Sequence, residues 1–306
     1  MRVLRVEATS AQGRTQVGSG VIVAPDRVAT SCHVIREADE ITVVKGGLRH
    51  TVSAQASDLH HDLCVLAVAN LGLEPVPLAS PETLQRGDPL LAIGYTGGSE
   101  LRFSVGSMRT LYRMEGSSVI VSSNAFNSGA SGGGLFDADG RLRGLLTFRL
   151  RGQEAAYYSV PVDWLAPLLA PGQPYQPVGP QSGQAFWEDQ GTAQQATFLR
   201  ADGLRRERRW TALIDLARGW ARADPEDPQA LQAWSDGLQG LGRYDDAASM
   251  LARLLRLDPR DALAWSQRGA LLLRLGRRSE VRDIVMRLRA LDDDLADQLS
   301  KQLETR

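Results

Sequence analysis

Between Pro171 and Pro180 the chain carries four prolines and two glycines in ten residues, and the hydrophobic pattern changes period across that segment. Proline lacks the amide hydrogen that helix interiors and central strands need, so residues 171–185, rich in Pro, Gly and Gln, read as a linker. Upstream, over residues 1–170, short apolar or β-branched runs recur at 17–24, 28–30, 41–44, 63–68, 90–93, 119–122, 142–150 and 156–160. Gly, Pro, Asp and Asn punctuate them, which is the grammar of an all-β sandwich or barrel. One short closing helix is expected at 162–165. Downstream, over residues 186–306, Leu, Ala and Arg dominate at helical spacing. A length of 306 residues accommodates two such domains.

The helical half repeats. Pro225 and Pro259 lie 34 residues apart, and Gly242 with Gly276, Leu238 with Leu272 and Leu231 with Trp265 share that period. A 34-residue unit with a glycine between its helices and a proline at its close resembles the tetratricopeptide (TPR) repeat. Trp265, Gly269, Leu272 and Gly276 fit its first helix, and Tyr244 and Ala247 its second. About three units are expected, beginning near Gln194, Pro228 and Ala262, with Asp293 where the third would have its proline. The resemblance implies a stacked solenoid that offers a surface to a protein partner. Trp210, Leu213, Trp234, Leu251, Leu254 and Trp265 are expected in its core.

Composition removes several classes. A formal net charge of −1 argues against a nucleic-acid partner. Two cysteines cannot staple a secreted scaffold, and four histidines (His33, His50, His60 and His61) leave little for a dedicated zinc site, so neither metal nor cofactor is expected. No apolar run reaches the length of a membrane span. The first twenty residues alternate polar and apolar types and lack the apolar stretch of a signal peptide. The chain as written is therefore expected in the cytoplasm, or in the periplasm if a leader has been removed.

Chemistry concentrates in Asn127-Ser128-Gly129-Ala130-Ser131-Gly132-Gly133-Gly134. Small residues let the backbone turn tightly around one serine. A serine hydroxyl attacks a carbonyl only when a base takes its proton and backbone N–H groups receive the oxyanion. His33 is the candidate base because a pair of strand-like runs, 17–24 and 28–30, delivers it to a turn; His50, His60 and His61 read as surface or turn residues. Asp62, at the mouth of the apolar run 63–68, is the candidate carboxylate that orients the base, ahead of Asp58.

Thr30-Ser31-Cys32-His33-Val34-Ile35, then His61-Asp62-Leu63-Cys64-Val65-Leu66, then Gly129-Ala130-Ser131-Gly132-Gly133 resemble the chymotrypsin-like serine peptidases, especially their bacterial HtrA-type branch. The order His, Asp, Ser is that of the chymotrypsin triad used as the standard example of this chemistry. The resemblance covers nearly all of residues 1–170 and implies a double β-barrel followed by the helical repeats. It implies His33 as general base, Asp62 as its orienting carboxylate and Ser131 as nucleophile, with the amides of Gly129 and Ser131 as oxyanion hole. Two positions depart from the family. Gly134 stands where a proline is usual, and Ala130 where digestive relatives carry the aspartate that captures a newly cut N-terminus.

By the same resemblance Ala125, Phe126, Thr147, Phe148, Arg149 and Ala156 line the primary pocket. No acid stands at its base, so an apolar substrate residue is expected ahead of an acidic one drawn by Arg149. Cys32 and Cys64 flank the triad, and without an export signal they are expected as buried free thiols. The function expected is a serine endopeptidase acting on protein or peptide substrates, its repeats binding a protein. The alternative is a catalytically silent protease fold serving as an adaptor.

Overall fold

The computed structural model describes residues 2–97, 100–150, 156–188 and 195–304. The chain divides into two compact units, residues 1–194 and 195–306.

The first unit holds two β systems. Strands β1 (Val3–Thr9), β2 (Thr15–Ala24) and β3 (Arg27–Ser31) lead into one helical turn, α1 (Cys32–Ile35). After it come β4 (Glu40–Lys45), β5 (Leu48–Thr51), β6 (Ala54–Asp58) and β7 (Leu63–Ala67). Then follow β8 (Pro89–Thr96), β9 (Glu100–Met114), β10 (Ser117–Ser122), β11 (Gly134–Phe136), β12 (Leu142–Leu150), β13 (Ala156–Pro161) and the two-residue β14 (Gln176–Pro177). Strands β8 to β13 close into a six-stranded barrel in the order β10-β13-β12-β11-β8-β9. The remaining strands form an eight-stranded sheet, β14-β6-β7-β3-β2-β1-β4-β5.

That sheet departs from the expected pair of closed barrels. β5 is four residues of mostly exposed side chains at one edge, and β6 turns away from it to pair with β7 and β14. The sheet still wraps a core of its own, with Val6, Ile22, Val28, Ile35, Ile41 and Leu66 buried together. Leu90, Ile120, Leu135 and Leu146 fill the closed barrel. The expected closing helix is a 3₁₀ turn at Val162–Leu165.

Residues 171–185 do not hang free as a linker. Pro177 lies in β14, at a sheet edge where a missing amide hydrogen costs nothing. The Gln55 side chain donates to the Gly179 carbonyl at 3.0 Å, and the Gln181 amide to the Arg36 carbonyl at 2.7 Å. A proline-rich composition forbids a helix; it does not forbid docking on an edge.

The second unit is helical: α2 (Thr197–Arg206), α3 (Trp210–Ala223), α4 (Pro228–Gly240), α5 (Tyr244–Leu257), α6 (Ala262–Arg274), α7 (Arg278–Arg289) and α8 (Asp293–Glu304). Asp227 caps α4 through the Gln229 amide at 2.8 Å, and Asp261 caps α6 through the Ala264 amide at 2.9 Å. The expected start near Gln194 lies outside the described residues. Leu231, Leu251, Leu254, Leu272 and Ile284 are buried together. Trp210, Trp234 and Trp265, expected in the core, are half-buried instead. Arg268 and Arg287 stand 6.0 and 5.1 Å from the Trp265 ring centre, so the large indoles serve as a shelf for guanidinium groups.

Candidate active site

β3 ends at Ser31 and the chain turns once, which sets His33 at the head of α1. Asp62 precedes β7 and is 1% exposed, with φ of +58° in the left-handed region that non-glycine residues rarely adopt. Both of its carboxylate oxygens serve the histidine. Oδ1 accepts the His33 backbone N–H at 2.8 Å, and Oδ2 lies 2.6 Å from Nδ1. A carboxylate accepts hydrogen bonds and does not donate them, so in this contact Nδ1 is the donating nitrogen.

Cys32 and Cys64 form a disulfide, not the free thiols expected from sequence. The pairing of β3 with β7 sets Thr30 opposite Cys64, which brings the two sulfurs within bonding reach. The bridge ties the turn that carries His33 to the strand that follows Asp62.

Asp58 takes a different histidine. Its carboxylate accepts the His61 amide at 3.1 Å and lies 2.6 Å from His61 Nδ1. On its far side His61 Nε2 stands 2.9 Å from a Glu115 oxygen, and His60 Nε2 lies 3.0 Å from the other. Glu115 belongs to the β9–β10 turn, so this group joins the sheet to the barrel. Burial disfavours the imidazolium of His61, but the hydrogen bond and charge of Asp58, with the charge of Glu115, outweigh it and raise its pKa. Burial alone would push the Asp58 carboxyl up; the His61 side-chain and backbone hydrogen bonds hold it below its usual value. His50 lies in β5, away from this group.

Ser131 sits on the loop between β10 and β11. Its carbonyl accepts the Ser19 amide at 2.8 Å, and its hydroxyl donates to the Thr147 carbonyl at 3.2 Å. A Cβ on Gly18 would stand 2.5 Å from Val34 and 3.2 Å from the Ser131 carbonyl. The serine loop and the turn bearing His33 therefore flank the same point of β2.

The peptide groups around the serine face in fixed directions. The Ser128 carbonyl accepts the Gly97 amide at 3.0 Å, and the Ala130 carbonyl accepts the Gly133 amide at 2.8 Å. In a planar trans peptide the N–H points opposite to the C=O, so the amides of Gly129 and Ser131 are turned the other way. Among the described residues neither amide donates to another group. Ser19 steadies the loop: its hydroxyl donates to the Gly129 carbonyl and accepts the Tyr95 amide, each at 2.8 Å. Sequence reasoning missed Ser19 and Gly97, which no local pattern distinguishes from turn residues. Gly134 opens β11 in regular register, and a Cβ there would stand 2.4 Å from the Phe136 ring. This position has no room for the family's proline.

Of the pocket candidates, Thr147, Phe148 and Arg149 lie on β12 and Ala156 begins β13. Phe126 is buried in the barrel core with its ring centre 5.3 Å from that of Tyr157, and Ala125 beside it is exposed. Arg149 is turned to the loop, where its guanidinium donates to the Asn127 side chain and, at 3.4 Å, to the Phe126 carbonyl.

The first unit carries a buried Asp–His pair and a glycine-flanked serine, and residues 18–145 match a family model described as a trypsin-like peptidase domain. Serine protease Rv3671c of Mycobacterium tuberculosis is 27% identical over 140 residues, covering 42% of this chain and 35% of the relative. A probable periplasmic serine endoprotease DegP-like of Halomonas elongata is 31% identical over 159 residues, covering 49% and 34%. Serine endoprotease DegS of Haemophilus influenzae is 31% identical over 160 residues, covering 48% and 47%. The chain thus spans a third to a half of these relatives. The crystal structure of the active form of Rv3671c protease superposes with a TM-score of 0.52 at 22% identity, over 60% of this chain and 85% of that one, which establishes a shared fold.

Proposed function

We propose that the first unit is a serine endopeptidase that cleaves peptide bonds through His33, Asp62 and Ser131. One observation carries the reading: both Asp62 oxygens hold His33, on a turn that flanks β2 together with the serine loop. The Ser131 hydroxyl leaves the Thr147 carbonyl by a side-chain rotation and passes its proton to His33 Nε2 as Oγ attacks the substrate carbonyl. Asp62 stabilises the imidazolium so formed. The amides of Gly129 and Ser131 receive the oxyanion; losing one such donor typically costs about 3 kcal/mol of transition-state stabilisation. The imidazolium then protonates the leaving amine, and water repeats the sequence on the acyl-enzyme.

Arg149 is spent on Asn127, which favours an apolar over an acidic residue in the primary pocket. The 34-residue helical pattern supports TPR-type repeats that bind a protein, bringing substrate to the peptidase or coupling it to a regulator. The disulfide, together with relatives named periplasmic, supports an oxidising compartment outside the cytoplasm in place of the cytoplasmic default.

A fluorophosphonate probe tests the assignment. Wild type is expected to take the label and Ser131→Ala to refuse it. An unlabelled wild type would instead favour the silent adaptor, in which the hydroxyl stays on Thr147.

A further inference from the structure

The segment beyond β14 returns to the catalytic crevice. Ala185 and Phe186 are 2% and 3% exposed, and the Phe186 amide donates to the His60 carbonyl at 3.0 Å. Glu188 accepts Arg36 Nη1 at 2.6 Å and the Ala185 amide at 2.8 Å. Between these anchors Trp187 lies parallel to the Phe148 ring, with centres 5.0 Å apart and planes inclined by 16°. It also meets His33 at 5.3 Å and 86°, an edge-to-face contact. Phe148 is stacked on Tyr158 as well, at 4.5 Å and 8°, so its two faces are taken by a barrel residue and by Trp187.

This position lies on the path a substrate must follow. β11 pairs with β12 no further than Gly134 opposite Leu145, so the stretch 147–150 has an edge without a partner strand among the described residues. An extended peptide can add to that edge. Its side chains then alternate in direction, so the residue cleaved enters the primary pocket and the one before it turns the opposite way, toward His33 and Phe148. Trp187 already stands there.

We propose that Trp187 walls the subsite for the residue preceding the scissile one and restricts it to glycine or alanine. The inference rests on the endopeptidase reading above. The indole is a wall of this site, not a stopper in it. Its ring contacts are with His33 and Phe148, whereas the Ser131 hydroxyl is bonded to Thr147 and remains partly exposed. The segment is held on both sides of the ring, by the buried Phe186 and by the Arg36–Glu188 ion pair.

The test uses full-length wild type, Trp187→Ala and Trp187→Phe with fluorogenic peptides that differ only in Gly, Ala, Leu or Phe before the cleaved residue. Wild type is expected to show kcat/KM about 10-fold or more higher for Gly and Ala than for Leu and Phe, the discrimination one or two methylenes give in a tight pocket. The alanine variant should raise the Leu and Phe rates relative to those for Gly and Ala by about the same factor, the ratio and not the absolute rate being the readout. Trp187→Phe, which keeps a ring on Phe148 but shortens it, should admit Leu at an intermediate rate, and it carries the comparison if the alanine variant unfolds.

A wild type indifferent to this residue, an equal gain on all four peptides, or a phenylalanine variant with unchanged preference would overturn the proposal. Labelling by the fluorophosphonate keeps the two readings apart. Label with no discrimination sinks the subsite alone; no label on wild type sinks the enzyme and the subsite with it.

Discussion

His61 is one residue from Asp62 yet serves another purpose. It stands between Asp58 and Glu115 with its imidazole centre 4.0 Å from that of the tilted Trp164 ring, and so links β6 to the β9–β10 turn. Its pKa is raised in the folded chain, so the stability it contributes is complete below the ordinary imidazole value and is lost as pH rises through the raised one. Asp58 is lowered, so its contribution is complete above the ordinary carboxylate value and is lost as pH falls through the lowered one. Both are in force in mildly acidic solution. His61→Gln should lower Tm most there, by a stability change of about 1 kcal/mol for a partly screened pair, and approach wild type in alkaline buffer. A deficit constant across that range in thermal melts would assign the effect to the lost ring and not to charge. The residue pattern His60-His61-Asp62 shows none of this, because the two histidines meet Glu115 while Asp62 turns to His33.

At the scale of elements, the chain uses covalent and ionic staples where its strands alone are short. The Cys32–Cys64 bridge joins α1 to β7 across 32 residues. Closing a loop of that length stabilises a fold by about 3–4 kcal/mol. Cys32→Ser is therefore expected to lower Tm by about 10 °C in a domain this size, with an equal effect of reductant on wild type. Thiol titration of the denatured, unreduced chain should find no free thiol; two would return the cysteines to the state expected from composition. Arg143 and Asp137 have almost fully buried side chains paired at 2.8 Å, holding β12 to the end of β11. A carboxylate and a guanidinium taken out of water together are tolerated because each finds further donors or acceptors, Arg141 on one side and the Ser80 carbonyl on the other. The strand run at 63–68 was legible because a buried strand is continuously apolar, and that at 142–150 was legible although Arg143 and Thr147 interrupt it with buried polar side chains. β9, with Phe103 and Val105 exposed, was not: its alternation serves no buried face at that end.

The whole chain divides into two units that can be tested apart. Residues 171–188 belong with the first unit, since β14, Phe186 and Trp187 pack on its strands. A truncation after Gln194 keeps that segment and removes the helices. Short-peptide turnover should then stay within about 2-fold of the full chain, while an unfolded protein substrate should be cleaved about 10-fold more slowly for want of a second attachment. Equal loss on both substrates, measured as kcat/KM, would make the helices a support for the β unit instead.

By itself the sequence determined the change from strands to helices, because hydrophobic periods of two and 3.6 residues are local properties of the chain. It also singled out His33, Asp62 and Ser131 as candidates, each beside small or apolar residues that have few other reasons to surround a polar group. Tertiary structure alone decided which carboxylate meets which histidine, that Cys32 reaches Cys64, that Ser19 and Gly97 orient the serine loop, and that Trp187 comes back to His33. Apart from Asp58–His61, those contacts join residues from 29 to 154 positions apart, or turn on the direction of one peptide plane, and a one-dimensional pattern carries neither distance nor direction.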